Sequence, residues 1–246
     1  AHVREVSLRG TADLAFWKEW LRKEGLAPAE SGGQALVWVI AADATFWGVR
    51  FRELSFPVVV APAQEGPRQD AVYLLRAFNS SRLFAWCERA FFATPYYPGD
   101  VRVSASLPVS VHLAEGSDVA FRAEMGGDNA GASREPSRAG EDTWEGAVFL
   151  PGGRGGRDGQ GNLFFARLGG HGRAYPFLTS QDSLTIRPSR GASILQALLD
   201  SHFVAREWVV REEARHAKSK TYRRAEALPG GIQLPAAAPD GGGRTA

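Results

Sequence analysis

A two-residue alternation of apolar and polar side chains between residues 34 and about 125 limits most strongly what this 246-residue chain can fold into. Alternation with many β-branched and aromatic residues is typical of half-buried strands. The alternating segments, separated by Pro, Gly and Asp, are QALVWVIAA, GVRFRELSFPVVVA, AVYLLRAF, VRVSASLPVSVHL and DVAFRAEMG. The same alternation continues in two later segments, TWEGAVFLP (143–151) and NLFFARLGG (162–170). We therefore expect mainly antiparallel strands in a curled sheet or barrel.

A helical period precedes the strands. In residues 11–24 the apolar Leu14, Trp17 and Leu21 recur at helical spacing, and Thr11 can supply the N-cap oxygen. The pattern predicts an amphipathic helix that covers one side of the sheet. We expect none of the residues of this helix to take part in catalysis.

A second helix is predicted for residues 192–206, where an apolar stripe follows possible serine caps. Residues 207–224 are compatible with either a continued helix or a strand. Residues 126–142 and GGRGGRDGQG (152–161) are predicted to be loops. The fold class that follows is α+β, mainly antiparallel β, with flanking helices.

The domain organisation follows from composition. We predict one domain over residues 1–227, because 44% of the residues are apolar and supply enough material for one core. From residue 228 to residue 246 Gly, Pro and Ala dominate, so this tail is predicted to be disordered.

Charge and cysteine content exclude several classes of protein. The net charge is +2, without the basic stripe that a nucleic-acid-binding protein presents. The single Cys87 allows no intramolecular disulfide, which fits a reducing compartment. No apolar run approaches the roughly 20 residues of a spanning helix, and the N-terminus lacks the apolar region of a signal peptide. We expect a cytoplasmic protein with no membrane and no nucleic-acid partner.

Three charged residues interrupt otherwise apolar strand faces. Glu53 lies on a face with Phe51 and Ser55, and Arg76 and Arg167 also alternate with apolar neighbours. An unpaired buried charge is costly, so such positions indicate a pocket or an internal ion pair. Inside a barrel, one carboxylate and two guanidiniums would suit a small anionic organic ligand. The alternative is that Glu53 forms a structural salt bridge or faces solvent.

Signals for metals and cofactors are missing from the sequence. The five histidines have no partner at ligand spacing, and no HExxH or CxxC motif occurs. The segment GGRGGRDGQG lacks the Gly-Lys-Ser/Thr ending of a phosphate-binding loop. We expect neither a metal nor a cofactor.

Three segments together carry a resemblance to a known superfamily. They are FRELSFPVVVA, WCERAFFATPYYPGDVRVSASLPVSV (86–111) and VAFRAEMG (119–126). Their order and spacing resemble the acetoacetate decarboxylase-like superfamily, whose fold is a β-barrel or cone. The resemblance implies that Glu53 is the active-site glutamate and that Pro95 precedes the position of a lysine pair. In this chain Tyr96 and Tyr97 occupy those positions. His216 is similar to a histidine found in an uncharacterised branch of the superfamily.

The missing lysine pair matters because decarboxylation through a Schiff base requires an amine with a depressed pKa. Of the four lysines, Lys18 and Lys23 lie on the polar side of the first helix, and Lys218 and Lys220 lie near the C-terminus. We therefore expect chemistry without a Schiff base. Tyr96 or Tyr97 would donate a hydrogen bond to an enolate or carbonyl oxygen, unless both rings simply fill the core or the rim.

Three functional hypotheses remain open from the sequence. In the first, a lyase or isomerase acts on a keto- or hydroxy-acid, with Glu53 and Tyr96 as catalytic residues. Substrate would be bound by the residues Arg76, Arg167, Tyr97 and His216. In the second, the barrel binds a small ligand without turnover. In the third, a relocated Lys218 or Lys220 forms the Schiff base. Assembly into a homo-oligomer is compatible with each of them.

Overall fold

A computed structural model describes the chain over residues 2–46, 48–61, 70–115, 118–126, 134–152, 161–188 and 191–224. The predicted tail from residue 228 lies outside the described residues, as do residues 127–133 and 153–160 of the two predicted loops. Within the described part, no helix has both the length and the apolar character needed to cross a lipid bilayer.

Strands dominate the described residues, and three helices accompany them. The helices are α1 (Leu14–Arg22), α2 (Arg82–Phe92) and α3 (Ser193–Asp200). The strands are β1 (His2–Asp13), β2 (Glu30–Ser31), β3 (Gln34–Phe46), β4 (Val49–Val60), β5 (Asp70–Asn79), β6 (Tyr96–Pro98), β7 (Asp100–Ser104), β8 (Ser110–Glu115), β9 (Asp118–Glu124), β10 (Arg138–Glu141), β11 (Trp144–Phe149), β12 (Asn162–Gly169), β13 (His171–Pro176), β14 (Ser183–Ile186), β15 (Val204–Lys218) and β16 (Tyr222–Arg223).

Seven strands close into a barrel, in the order β15-β1-β3-β4-β5-β11-β12. All neighbours are antiparallel except β5 and β11, which run parallel. The long strand β15 closes the ring, because it pairs with β1 over most of its length and with β12 at its end, through Ala166↔Lys218 and Leu168↔His216. This closed, mainly antiparallel barrel with helices at its sides confirms the predicted fold class.

The outer face of the barrel is covered by a second sheet and by two helices. Strands β14, β9, β8 and β7 form this sheet, and its Phe121 meets Phe56 of β4 with ring centroids 5.8 Å apart. Trp17 of α1 and Leu195 of α3 are fully buried in the same cluster. Burial of side chains this large contributes roughly 1.5–3 kcal/mol each. The main core therefore lies outside the barrel.

The inner face carries a separate set of side chains. Trp38 of β3 and Trp144 of β11 are in edge-to-face contact, with centroids 6.5 Å apart. Two strands separate β3 from β11 in the sheet, so these rings meet across the enclosed side. A smaller apolar cluster lines this side, with Val72, Leu74 and Phe164 among its members.

The two predicted helices are shorter than the sequence indicated. Helix α1 begins after Asp13, whose carboxylate accepts a hydrogen bond from the Phe16 amide at 2.6 Å, whereas Thr11 still pairs with Leu36 inside β1. Helix α3 ends at Asp200, and His202 takes a left-handed conformation with φ of 52°. The chain then turns back as β15, so the ambiguous stretch 207–224 is strand through Lys218.

The elements that were not assigned from the sequence include β1, α2 and β10. Strand β1 lies in the middle of the barrel wall, between β3 and β15. Helix α2 follows Ser81, whose side chain accepts from the Phe84 amide. Strand β10 occupies part of the predicted loop 126–142 and pairs with β13, because its backbone extends the sheet edge even though its side chains are small or polar.

The parallel junction of β5 and β11 depends on a residue without a side chain. A Cβ on Gly146 would lie 1.9 Å from the carbonyl oxygen of Asp70. We predict that Gly146→Ala lowers the free energy of unfolding by about 2 kcal/mol or more, because the backbone carbonyl cannot move aside cheaply. Chemical denaturation of the purified variant measures this loss.

Gly152→Ala is the matched control, since among the described residues the nearest atom to a Cβ there is a Glu24 carboxylate oxygen, at 3.7 Å. Equal stabilities for the two variants would contradict the role assigned to Gly146.

Candidate active site

Glu53 lies in a row of residues that crosses four neighbouring strands on the inner face. Glu5 of β1 is directly opposite Ala42 of β3, Ala42 is opposite Glu53 of β4, and Glu53 is opposite Asn79 of β5. Residues opposite each other in antiparallel strands point to the same side. The register therefore places two carboxylates at the same level of the barrel, two strands apart.

Tyr96 reaches this row from β6, a short strand that pairs parallel with β5. Helix α2 ends at Ala93 in the left-handed conformation, and the Pro95 carbonyl accepts from the Ala77 amide at 3.0 Å, which directs the chain along β5. The Tyr96 hydroxyl donates to Oε2 of Glu53 at 3.3 Å. The Asn79 amide donates to Oε1 of Glu53 at 2.9 Å.

Burial changes the acidity of both groups. Desolvation, reinforced by the negative charge of Glu88, raises the pKa of Glu53, while Lys218, His216 and the Asn79 hydrogen bond lower it by less. Desolvation and the carboxylates of Glu53 and Glu88 raise the pKa of Tyr96 well above its usual value. Tyr96 therefore remains a proton donor, and Glu53 becomes a stronger base than a solvated glutamate.

Lys218 and Glu88 form an ion pair beside Glu53. Glu88 comes from α2 and is 17% exposed, and it also accepts from the Thr94 hydroxyl at 2.9 Å. Lys218 ends β15, and its Nζ lies 3.9 Å from the centre of the Phe92 ring. One third of the Lys218 side chain is exposed (33%), so solvent reaches this residue at the end of β15.

Glu5 organises the other half of the row. It is fully buried, and it accepts hydrogen bonds from Arg211, from Ser7 at 2.9 Å and from Nε2 of His216 at 2.7 Å. Arg211 also donates to Asp142. Burial raises the pKa of Glu5, but the His216 hydrogen bond and the Arg211 charge outweigh it and bring that pKa to about 2. Glu5 is therefore a carboxylate at any ordinary pH.

The structure brings three of the predicted site residues into this region: Glu53, Tyr96 and His216. The other three lie on the outer face. Arg167 pairs with Glu145, with its Nε 2.7 Å from the carboxylate, because its neighbours Ala166 and Leu168 face inward. The guanidinium carbon of Arg76 lies 4.1 Å from the centre of the Tyr97 ring, opposite the inward-facing Tyr96.

Sequence reasoning missed Glu5, Asn79 and Glu88, and it considered Lys218 only as a remote alternative. Glu5 and Glu88 belong to elements that the periodicity did not assign, so no face was available for them. His216 and Lys218 are two residues apart, which is the spacing of one strand face, but the stretch was ambiguous between helix and strand. Among the described residues, no group of three or more His, Cys, Asp or Glu side chains is arranged to hold a metal ion.

Comparison with solved structures identifies the fold. Acetoacetate decarboxylase from Legionella pneumophila subsp. pneumophila str. Philadelphia 1 matches with a TM-score of 0.61 and 13% identity, over 90% of this chain and 84% of that one. An acetoacetate decarboxylase-like enzyme from Sphingomonas wittichii RW1 matches with a TM-score of 0.56 and 14% identity, over 90% of both chains. The enduracididine biosynthesis enzyme MppR, complexed with pyruvate, matches with a TM-score of 0.58 and 12% identity, over 90% of this chain and 88% of that one.

These matches confirm that the chain has the acetoacetate decarboxylase-like fold which the sequence resemblance implied. By sequence, no family model and no curated protein matches it. At identities of 12–14% the likeness establishes the fold, and function has to be argued from the residues inside the barrel.

The buried Glu5 network yields a prediction about stability. We expect Glu5→Gln to lower the free energy of unfolding by about 3 kcal/mol at pH 7, because it leaves the buried Arg211 with one carboxylate fewer. The folded-state pKa of Glu5, about 2, is below its ordinary 4.5. The stabilisation is therefore complete above pH 4.5 and disappears as the pH falls towards 2. Urea titrations between pH 3 and pH 7 would measure it.

Glu19→Gln is the control, because Glu19 forms an exposed ion pair with Arg22 and its loss should change stability little. An equally small effect from Glu5→Gln would show that the buried network does not stabilise the fold.

Proposed function

We propose that this protein binds a small keto- or hydroxy-acid at the Lys218 end of the barrel and catalyses proton transfer on it without a Schiff base. Lyase and isomerase reactions both begin with such a transfer. The two catalytic residues would be Glu53 and Tyr96. The observation that carries the proposal is the 3.3 Å contact between the Tyr96 hydroxyl and Glu53 Oε2 inside the barrel.

Each group suits one half of the reaction. The Glu53 carboxylate would remove a proton from the carbon next to the carbonyl group, and its raised pKa makes it a better base near neutral pH. The electron pair of the broken C–H bond would move to the carbonyl oxygen. The Tyr96 hydroxyl would turn to donate a hydrogen bond to this developing oxyanion, which is where such a donor lowers the barrier most.

A different cation from the predicted pair would bind the carboxylate of the substrate. Arg76 and Arg167 lie on the outer face, so neither is positioned to form the expected clamp. Lys218 is the partly exposed cation beside Glu53, and its charge lowers the pKa of that residue. We assign the binding of the ligand carboxylate to Lys218. The pyruvate found in MppR is an acid of this size.

Glu53→Gln tests the proposal directly. We expect this variant to lose all deuterium incorporation from D2O into a panel of keto-acids, measured by proton NMR, because an amide cannot accept the proton. Its thermal midpoint should stay the same or rise at pH 7, since the raised pKa of Glu53 means that ionising it in the folded protein costs stability as the pH rises.

Tyr96→Phe should slow the exchange by a factor of about 100, the loss typical for an oxyanion donor. Tyr97→Phe is its matched control, because Tyr97 faces outward against Arg76 and should leave the rate unchanged. A keto-acid that raises the thermal midpoint of the wild-type protein but gains no deuterium would instead favour a binding protein without catalysis.

A second candidate function follows from the position of Lys218. Its Nζ lies over the Phe92 ring at 3.9 Å and shares this end of the barrel with Glu53 and Tyr96. The amine would attack the keto carbon of a β-keto acid, lose water and form an imine, whose positive nitrogen accepts the electrons released with CO2. The ion pair with Glu88 opposes this reaction, because it engages the same amine as an ammonium donor.

Borohydride reduction distinguishes the two candidates. If the first is right, protein treated with acetoacetate and borohydride keeps its original mass, because no imine forms to be reduced. An added mass equal to reduced acetone on a peptide containing Lys218, absent in Lys218→Met, would establish the second. Lys220→Met is the control, since Lys220 lies against Tyr222 instead.

A further inference from the structure

His216 and Glu5 form a carboxylate–imidazole pair on the inner wall of the barrel. Nε2 of His216 lies 2.7 Å from Oε2 of Glu5, whose side chain is fully buried while that of His216 is 29% exposed. Glu5 is itself held in place, because Arg211 and the Ser7 hydroxyl both donate to its other oxygen. Its carboxylate can therefore neither rotate away nor exchange its partners freely.

The contact decides which ring nitrogen of His216 carries a proton. A carboxylate has no hydrogen to give, so Nε2 must be the donor. Glu5 remains ionised at any ordinary pH because its pKa is about 2. When His216 is neutral, the free lone pair is consequently on Nδ1. An orienting carboxylate that selects one tautomer is what makes a histidine effective in proton transfer.

Among the described residues, the charges near His216 come from several elements. Glu5 faces it from β1, Glu53 of β4 interacts with its charge, and Arg211 and Lys218 belong to its own strand β15. Glu88 of α2 pairs with Lys218 and acts on Glu53. Arg211 is paired with Glu5 and Asp142, and Lys218 is paired with Glu88. His216 lowers the pKa of Glu53 through its charge, which places the two groups within electrostatic reach of each other.

We propose that Glu5 is a positioning residue which keeps the His216 ring in its Nε2–H form, and that Nδ1 of His216 exchanges protons between the Glu53 site and solvent. The proton-exchange role of His216 rests on the proposed function. The assignment of its tautomer does not depend on that function. The proton that Glu53 takes from a ligand would pass, through water, to the Nδ1 lone pair and from there to bulk water. The ring returns to neutral, so neither an oxidant nor a second substrate is needed.

Nitrogen-15 NMR of histidine-labelled protein tests the positioning part. His216 signals are assigned by their loss in His216→Gln. In the neutral ring we expect the Nε2 signal at its protonated position and the Nδ1 signal at its unprotonated position. Protonation of Nδ1 in the neutral ring would overturn the assignment. This spectrum of the wild-type protein decides the point even if variants of Glu5 fail to fold.

Glu5→Gln should replace the single tautomer by a mixture, because an amide can either donate to the ring or accept from it. Glu124→Gln is the matched control: His112 forms the same Nε2 contact with Glu124 at 3.0 Å, but on the second sheet, so His216 should be unaffected. An unchanged His216 spectrum in folded Glu5→Gln would contradict the positioning role.

Deuterium exchange into pyruvate tests the relay part. We expect His216→Gln to slow the exchange about tenfold or more and to flatten its dependence on pH, whereas His112→Gln changes neither. If Glu53→Gln abolishes exchange but His216→Gln behaves like the wild type, the relay is wrong and the proposed function stands. If the wild-type protein shows no exchange, the relay and the proposed function both fail, while the tautomer result still stands on its own spectrum.

Discussion

Closure of the barrel by β15 is the constraint on which the rest of the structure depends. This strand pairs with β1 along most of its length and then crosses to β12, so it joins the two ends of the sheet. Closure gives every wall strand an outer face and an inner face with different partners. The outer face is covered by α1, α3 and the second sheet, and the inner face can carry polar groups only where they find partners across the enclosure.

Most of the inner carboxylates have a cationic partner. Glu5 and Asp142 both pair with Arg211, and the Glu88 carboxylate pairs with Lys218. Glu53 differs, because the hydrogen bonds that it accepts from described residues come from the neutral groups of Asn79 and Tyr96. Burial of a carboxylate with only neutral donors raises its pKa, and perturbed groups of this kind concentrate at functional sites. Unlike Glu5, Asp142 and Glu88, Glu53 thus has no charged hydrogen-bond donor among the described residues.

The barrel is shared by proteins whose sequences differ widely. Solved structures with 12–14% identity share the barrel, and they include a decarboxylase and a biosynthetic enzyme. The sequence resemblance places a lysine pair where this chain has Tyr96 and Tyr97, and the alternation of β6 turns only the first of these inward. The amine that does reach the site comes from the opposite end of the chain, at Lys218.

Local periodicity was enough to predict the strand-rich class and the helix stripe of Trp17 and Leu21. The cost of burying charge marked Glu53, Arg76 and Arg167 alike as candidates for the interior, and of these three only Glu53 faces the inside. The resemblance of the sequence to a known superfamily also identified Tyr96. Only the tertiary structure decided that Arg76 and Arg167 face outward and that Glu5, Glu88, His216 and Lys218 converge on the same end of the barrel. Local patterns report which residues share a strand face. They cannot report which face becomes the inside when strands from distant parts of the chain close into a ring, since that depends on pairings between residues as far apart as Glu5 and Arg211.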